Sequence, residues 1–180
     1  VFAVALSAFS VSATDIIVSN KTQLATAQAS VVAGDTIIWK NGTYDNLDTI
    51  TFEPANSGTP TDSITLRAET PGGVTFRGNT RLQLGGHHLV VSGFRFDNSD
   101  FNFSGTSTAG YVISSRANSD ISRHAYNCRV TDCAIINYDN PAATSSTKWV
   151  QWFGGTNQFD NNYVTGKRTR GATFIVELNT

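Results

Sequence analysis

The chain has no methionine, only two cysteines and almost no surplus charge, and each shortage closes off a class of protein. Cys128 and Cys133 cannot build the disulfide framework of a small secreted scaffold, and their spacing is not that of a metal-binding pair. Thirteen lysines and arginines stand against 14 aspartates and glutamates, so no broad positive field marks a general nucleic-acid binder. The three histidines, His87, His88 and His124, are scattered without carboxylates at ligand spacing, which argues against zinc.

Long apolar runs are equally scarce. The exception is Val1-Phe-Ala-Val-Ala-Leu-Ser-Ala-Phe-Ser-Val-Ser-Ala13, which is too short to span a membrane and ends in small residues suited to cleavage before Thr14. It reads as the apolar part of an export signal and predicts a secreted or periplasmic protein. No initiator methionine or charged segment precedes it, so residues 1–13 are expected to be a clipped signal remnant and residues 14–180 one domain.

A helical pattern occurs once. Asn20 is a candidate N-cap with Gln23 three residues on, and Leu24, Ala27, Gln28 and Val31 follow at helical spacing. One short helix ahead of many strands is what caps the first apolar layer of an open β stack. The rest is short β-rich segments divided by Gly, Asn, Asp, Ser and Thr, from Ile64–Leu66 through Val74–Phe76, Leu82–Leu84, Leu89–Val91, Tyr111–Ile113 and Val150–Trp152 to Phe174–Val176.

Val91–Phe96, Val130–Ile135 and Phe159–Val164 superimpose as an apolar residue, a tight polar turn and a second strand. Their unequal spacing predicts loops of variable length on one side. Strand pairs of this kind bury an apolar face only by stacking coil on coil. The expected fold is therefore an all-β, right-handed parallel β-helix with a short N-terminal capping helix, and an immunoglobulin-like sandwich is the runner-up. Asp160-Asn-Asn162 then turns a corner, where Asn tolerates left-handed backbone and can ladder to the next coil. Cys128 and Cys133 fall on neighbouring strands of one coil, which favours two packed thiols over a bridge and leaves their redox state open.

Against this background the segment Lys167, Arg168, Arg170 stands out. Three cations on one loop just past a strand suit contact with an anionic polymer, and the plainer alternative is a solvated turn. Trp149 and Trp152, three apart, are expected on opposite faces of a strand, one in the core and one free to stack on a sugar. His87 and His88 are expected to alternate in and out of a strand, with His124 a minor candidate for sugar contact. Asn41-Gly-Thr43 and Asn102-Phe-Ser104 match the glycosylation sequon, a frequent chance pattern.

The capping helix followed by Gly34-Asp-Thr-Ile-Ile-Trp-Lys-Asn-Gly-Thr-Tyr44, the Ile64–Ala68 and Gly72–Phe76 pair, the Leu89–Phe96 coil and Asn161-Asn-Tyr-Val-Thr-Gly-Lys167 resemble the amino-terminal part of polysaccharide lyase family 6, the alginate lyases and chondroitinase B. The resemblance implies β-elimination on a uronate polysaccharide. In that chemistry calcium, held by an Asn and two Glu, neutralises the C5 carboxylate, while a Lys removes the proton and an Arg assists the leaving oxygen.

It also implies that these five residues lie on later coils. No catalytic residue and no metal ligand is carried onto this chain, Lys167 belongs to an earlier motif, and Glu177 lacks a Glu-x-Glu partner. The expectation is an N-terminal portion, truncated at its C-terminal end and inactive alone, of a secreted calcium-dependent lyase. Alginate is preferred as its substrate over dermatan or chondroitin sulfate. A non-catalytic β-helix adhesin or carbohydrate-binding protein is the alternative, and Lys167, Arg168 and Arg170 are the candidate substrate contacts.

Overall fold

The computed structural model describes residues 12–103, 110–139 and 147–177. The export-signal reading falls mostly on residues 1–11, outside that range, as does Ser104 of the second sequon.

Strand β1 (Asp15–Val18) leads into helix α1 (Lys21–Ser30). Asn20 caps the helix through its side chain, which accepts from the Gln23 N–H at 2.9 Å, and the Gln23 side chain accepts in return from the Ser19 N–H at 2.7 Å. Leu24, Ala27 and Val31 are buried in the first apolar layer, and Gln28 donates to the Thr51 carbonyl at 2.7 Å. The predicted helical face is the buried one.

Five coils follow, each made of three strands. They are β2 (Thr36–Trp39), β3 (Gly42–Asp45) and β4 (Thr49–Phe52); β5 (Ile64–Ala68), β6 (Val74–Arg77) and β7 (Arg81–Leu84); β8 (Leu89–Ser92), β9 (Phe94–Asp97) and β10 (Ile113–Ser114); β11 (Arg129–Thr131), β12 (Ala134–Ile136) and β13 (Val150–Trp152); and β14 (Gln158–Asp160), β15 (Tyr163–Thr165) and β16 (Phe174–Val176). Every first strand joins one sheet with β1, every second strand another, and every third strand the last, all paired in parallel. This is a parallel β-helix, in which each coil buries the apolar face of its neighbour.

Register follows the sequence repeat residue for residue. Val91 pairs with Val130 and Val130 with Phe159, while Phe96 pairs with Ile135 and Ile135 with Val164. Alternate side chains along the strands fill the lumen, where Trp39, Phe76 and Phe94 stack through three coils with ring centroids 5.1 and 5.3 Å apart. Cys128 and Cys133 are buried free thiols, and burial raises their pKa to about 11 and about 12.

The corners are columns of left-handed backbone. Gly93, Asp132 and Asn161 have φ of 79°, 55° and 53° at equivalent positions of three coils. Asn162 beside them bridges coils, accepting from the Cys133 N–H at 2.8 Å and donating to the Val130 carbonyl at 2.9 Å. Asn162→Ala leaves both groups without that partner and should cost about 1–2 kcal/mol in denaturant unfolding. An unchanged midpoint would mean the amide ladder contributes nothing.

A second column corrects one expectation. His88 has φ of 52° and aligns with Asn127 (55°) and Thr156 (56°), so it is a corner residue and β8 begins only at Leu89. His87 and His88 therefore do not alternate across a strand. Long connections leave from two corners, 98–112, 137–149 and 166–173 between second and third strands and 53–63 and 115–128 between a third strand and the next first strand, so loops of variable length are not confined to one side, contrary to the expectation from the unequal repeat spacing.

Candidate polyanion-binding face

The basic segment lies on the 166–173 connection, beside the edge of the sheet formed by the third strands. Its root is Gly166 (φ 79°), where a Cβ would come within 1.9 Å of the Asn137 side-chain oxygen, so the turn seats directly on the coil beneath.

From there the turn is built around one carboxylate that sequence reasoning passed over. Asp139, 7% exposed, accepts through Oδ2 from the N–H groups of Arg168 and of Thr169, the latter at 2.8 Å. Its Oδ1 accepts from Trp149 Nε1 at 2.8 Å, the Thr169 hydroxyl at 2.8 Å and the Thr147 hydroxyl at 3.1 Å. Burial alone would push the Asp139 pKa up, but donors led by the Thr169 and Arg168 N–H groups outweigh it and hold the pKa below the usual carboxylate range.

The three candidate contacts divide. The Lys167 ammonium turns back onto its own loop, donating to the Thr169 carbonyl at 2.8 Å, the Thr169 hydroxyl at 2.9 Å and the Arg170 carbonyl at 3.4 Å. It braces the turn. Arg168 and Arg170 are exposed, and neither meets a carboxylate within ion-pair distance among the described residues. Lys148, one coil below, pairs with Glu177 at 2.7 Å, and Gln151 donates to the same carboxylate at 3.3 Å. Glu177, just past β16, is thus engaged in an ion pair and a hydrogen bond.

Two further expectations are corrected. Trp149 and Trp152 are both buried, at 1% and 7% exposure, so neither is a sugar platform. Trp149 precedes β13 and is not held to strand alternation, and Tyr138 and Asp139 belong to the connection that carries it. Trp152 packs on Phe159 with ring centroids 5.8 Å apart. His124 is buried at 1% exposure, 5.4 Å from the Phe153 ring, and is closed to substrate.

What remains on the third-strand face is a set of side chains no motif announced. Arg81, at the start of β7, lies over the Tyr111 ring, and Arg116 lies over Phe153 just past β10. The face presents exposed arginines to solvent. It offers no recognisable nucleophile and base pair, and no three of His, Cys, Asp and Glu gather to hold a metal among the described residues.

Comparison with known proteins fits this geometry to a family. The family model for chondroitinase B matches residues 18–180. The chain belongs to the chondroitinase B family, polysaccharide lyase family 6. The solved structure of the family 6 alginate lyase AlyGC is 36% identical with a TM-score of 0.81, over 92% of this chain and 21% of that one. A mannuronic-acid-specific family 6 lyase from human gut microbiota is 26% identical with a TM-score of 0.76, over 91% of this chain and 37% of that one. The chain thus spans about a fifth to two-fifths of these family 6 structures. No curated protein matches it.

Proposed function

We propose that this chain is the substrate-binding amino-terminal part of a secreted lyase that cleaves a uronate polysaccharide, alginate foremost, by β-elimination. The observation that supports it most is family membership with relatives described as alginate lyases, joined to exposed, uncompensated arginines on one face of the stack. Arg168 and Arg170 are proposed substrate contacts, and Lys167 serves by holding their turn. Secretion is supported by the apolar run over residues 1–13. Calcium remains part of the proposal for the whole enzyme, with ligands outside the described residues. A sulfated uronate, dermatan or chondroitin sulfate, is the second reading, favoured by the family model itself.

Elimination removes the C5 proton and breaks the C4–O bond, and the electron pair leaves a C4=C5 double bond conjugated to the carboxylate. Ultraviolet absorbance on mixing protein with alginate, or separately with dermatan sulfate, therefore reads the reaction directly. The 180-residue chain is expected to bind alginate without generating the absorbance, because its described residues lack a clustered carboxylate site. Calcium-dependent absorbance from that chain would return Lys167 and Glu177 to candidacy as chemical groups.

A further inference from the structure

One motif stands apart from the polymer-binding face. Asn41-Gly42 lies at the corner between β2 and β3 and is the only Asn-Gly pair in the sequence. Glycine after asparagine is the pairing most open to deamidation, because no side chain shields the Gly42 nitrogen from the neighbouring carboxamide. In that reaction the Gly42 main-chain nitrogen, its proton taken by hydroxide, attacks the Asn41 carboxamide carbon, ammonia leaves and a succinimide ring closes. Water then opens the ring to aspartate or, at the other carbonyl, to isoaspartate.

In the folded chain both reacting groups are tied down. The Gly42 N–H donates to the Gly73 carbonyl at 2.9 Å, a bond to the next coil that the nitrogen must give up before it can attack. The Asn41 side-chain oxygen accepts from the Thr70 N–H at 3.2 Å and from the Thr70 hydroxyl at 3.1 Å. Those donors sit on a tight turn, Thr70-Pro-Gly-Gly73, with Gly72 at φ 76° and a closing bond from the Gly73 N–H to the Thr70 carbonyl at 2.9 Å. Gly73 completes the clamp by having no side chain: a Cβ there would come within 2.2 Å of the Asn41 oxygen and 2.7 Å of its carboxamide carbon. The Asn41 N–H is held as well, donating to Glu69 at 3.0 Å, and Lys40 pairs with the same carboxylate at 2.6 Å.

The corner has no slack to absorb the products. Only Lys40 and Asn41 separate Trp39, paired with Ala68, from Gly42, paired with Val74. Isoaspartate adds a carbon to the main chain between these two fixed pairings, and aspartate sets a second carboxylate beside Glu69.

We infer that Asn41 is a deamidation site gated by the fold: the 69–73 turn of the second coil suppresses the reaction in the native stack, and local opening of the first coil releases it. The site would then keep a covalent record of opening, and it does not depend on the uronate reading above.

Peptide mapping by mass spectrometry, on the 180-residue chain aged in mildly alkaline buffer with and without urea, tests it. Asn41 of the folded chain should convert at least about tenfold more slowly than in urea, the scale set by loss of these hydrogen bonds. Thr70→Val removes the hydroxyl donor, and Gly73→Ala places a methyl group where the carboxamide packs. Each should speed conversion in the folded chain about fivefold and leave the rate in urea unchanged. Circular dichroism identifies a variant that fails to fold, and the other then decides. Equal conversion of wild type with and without urea would overturn the gating, and wild-type rates in the folded variants would remove the turn as its cause. Absence of conversion in urea would dismiss Asn41 as a site altogether.

Discussion

Asp139→Ala should destabilise the protein by about 3 kcal/mol at neutral pH, the scale expected when a buried charged acceptor leaves several donors unpaired. Five groups lose their acceptor together: two N–H groups of the basic turn, two threonine hydroxyls and the Trp149 indole. Because the folded-state pKa of Asp139 is depressed, its contribution is present above the unfolded pKa, about 4, and is lost as pH falls through the folded value. The gap between wild type and variant in urea unfolding should therefore be full at pH 7 and narrow in acid. Asp139→Asn keeps one acceptor but turns an amide donor toward the Arg168 and Thr169 N–H groups, so it should not rescue. A gap that does not change with pH would show that the carboxylate charge is not what holds the turn.

Gly154→Ala is the second large effect. At Gly154, just past β13, φ is 76° and an added Cβ would come within 1.8 Å of the Ala125 carbonyl oxygen, a backbone atom that cannot swing aside. The left-handed conformation costs an L residue about 1–2 kcal/mol, and the collision forces the coils apart, so a total of about 3 kcal/mol or more is expected. Gly72→Ala is the matched control: its φ is likewise 76°, yet nothing lies within 4 Å of the added carbon. It should lose only the conformational part. Equal thermal shifts for the two variants would remove close packing from the explanation.

The contrast between these sites shows what the sequence makes visible. The register of three coils can be read from Val91–Phe96, Val130–Ile135 and Phe159–Val164, because a stack repeats the same local demand, apolar residue then corner then apolar residue, at each level. The helix cap is legible for a similar reason, since Asn20 and Gln23 satisfy donors within one turn. Asp139 is not legible: it gathers partners at 147, 149, 168 and 169, and only the folded connections bring those together. Burial of Trp149 fails to show for the same reason.

The site is legible by charge and not by geometry. Three cations in four residues mark the turn, yet Lys167 spends its ammonium on its own loop, while Arg81 and Arg116, 35 positions apart, carry no local mark. Their shared face follows from third-strand pairing, Leu82 with Ile113, in the sheet where the cryptic repeat is weakest.

Every strand of the stack pairs only with its counterparts in the adjoining coils, and that makes the face separable in the thermodynamic sense. Strand residues more than one coil apart share no ladder partner, so the free energies of their substitutions should add, whereas neighbours such as Arg81 and Tyr111 should couple. Arg81 on the second coil and Arg168 on the fifth should then act independently of each other. A wall built this way can be altered level by level without redrawing the levels between.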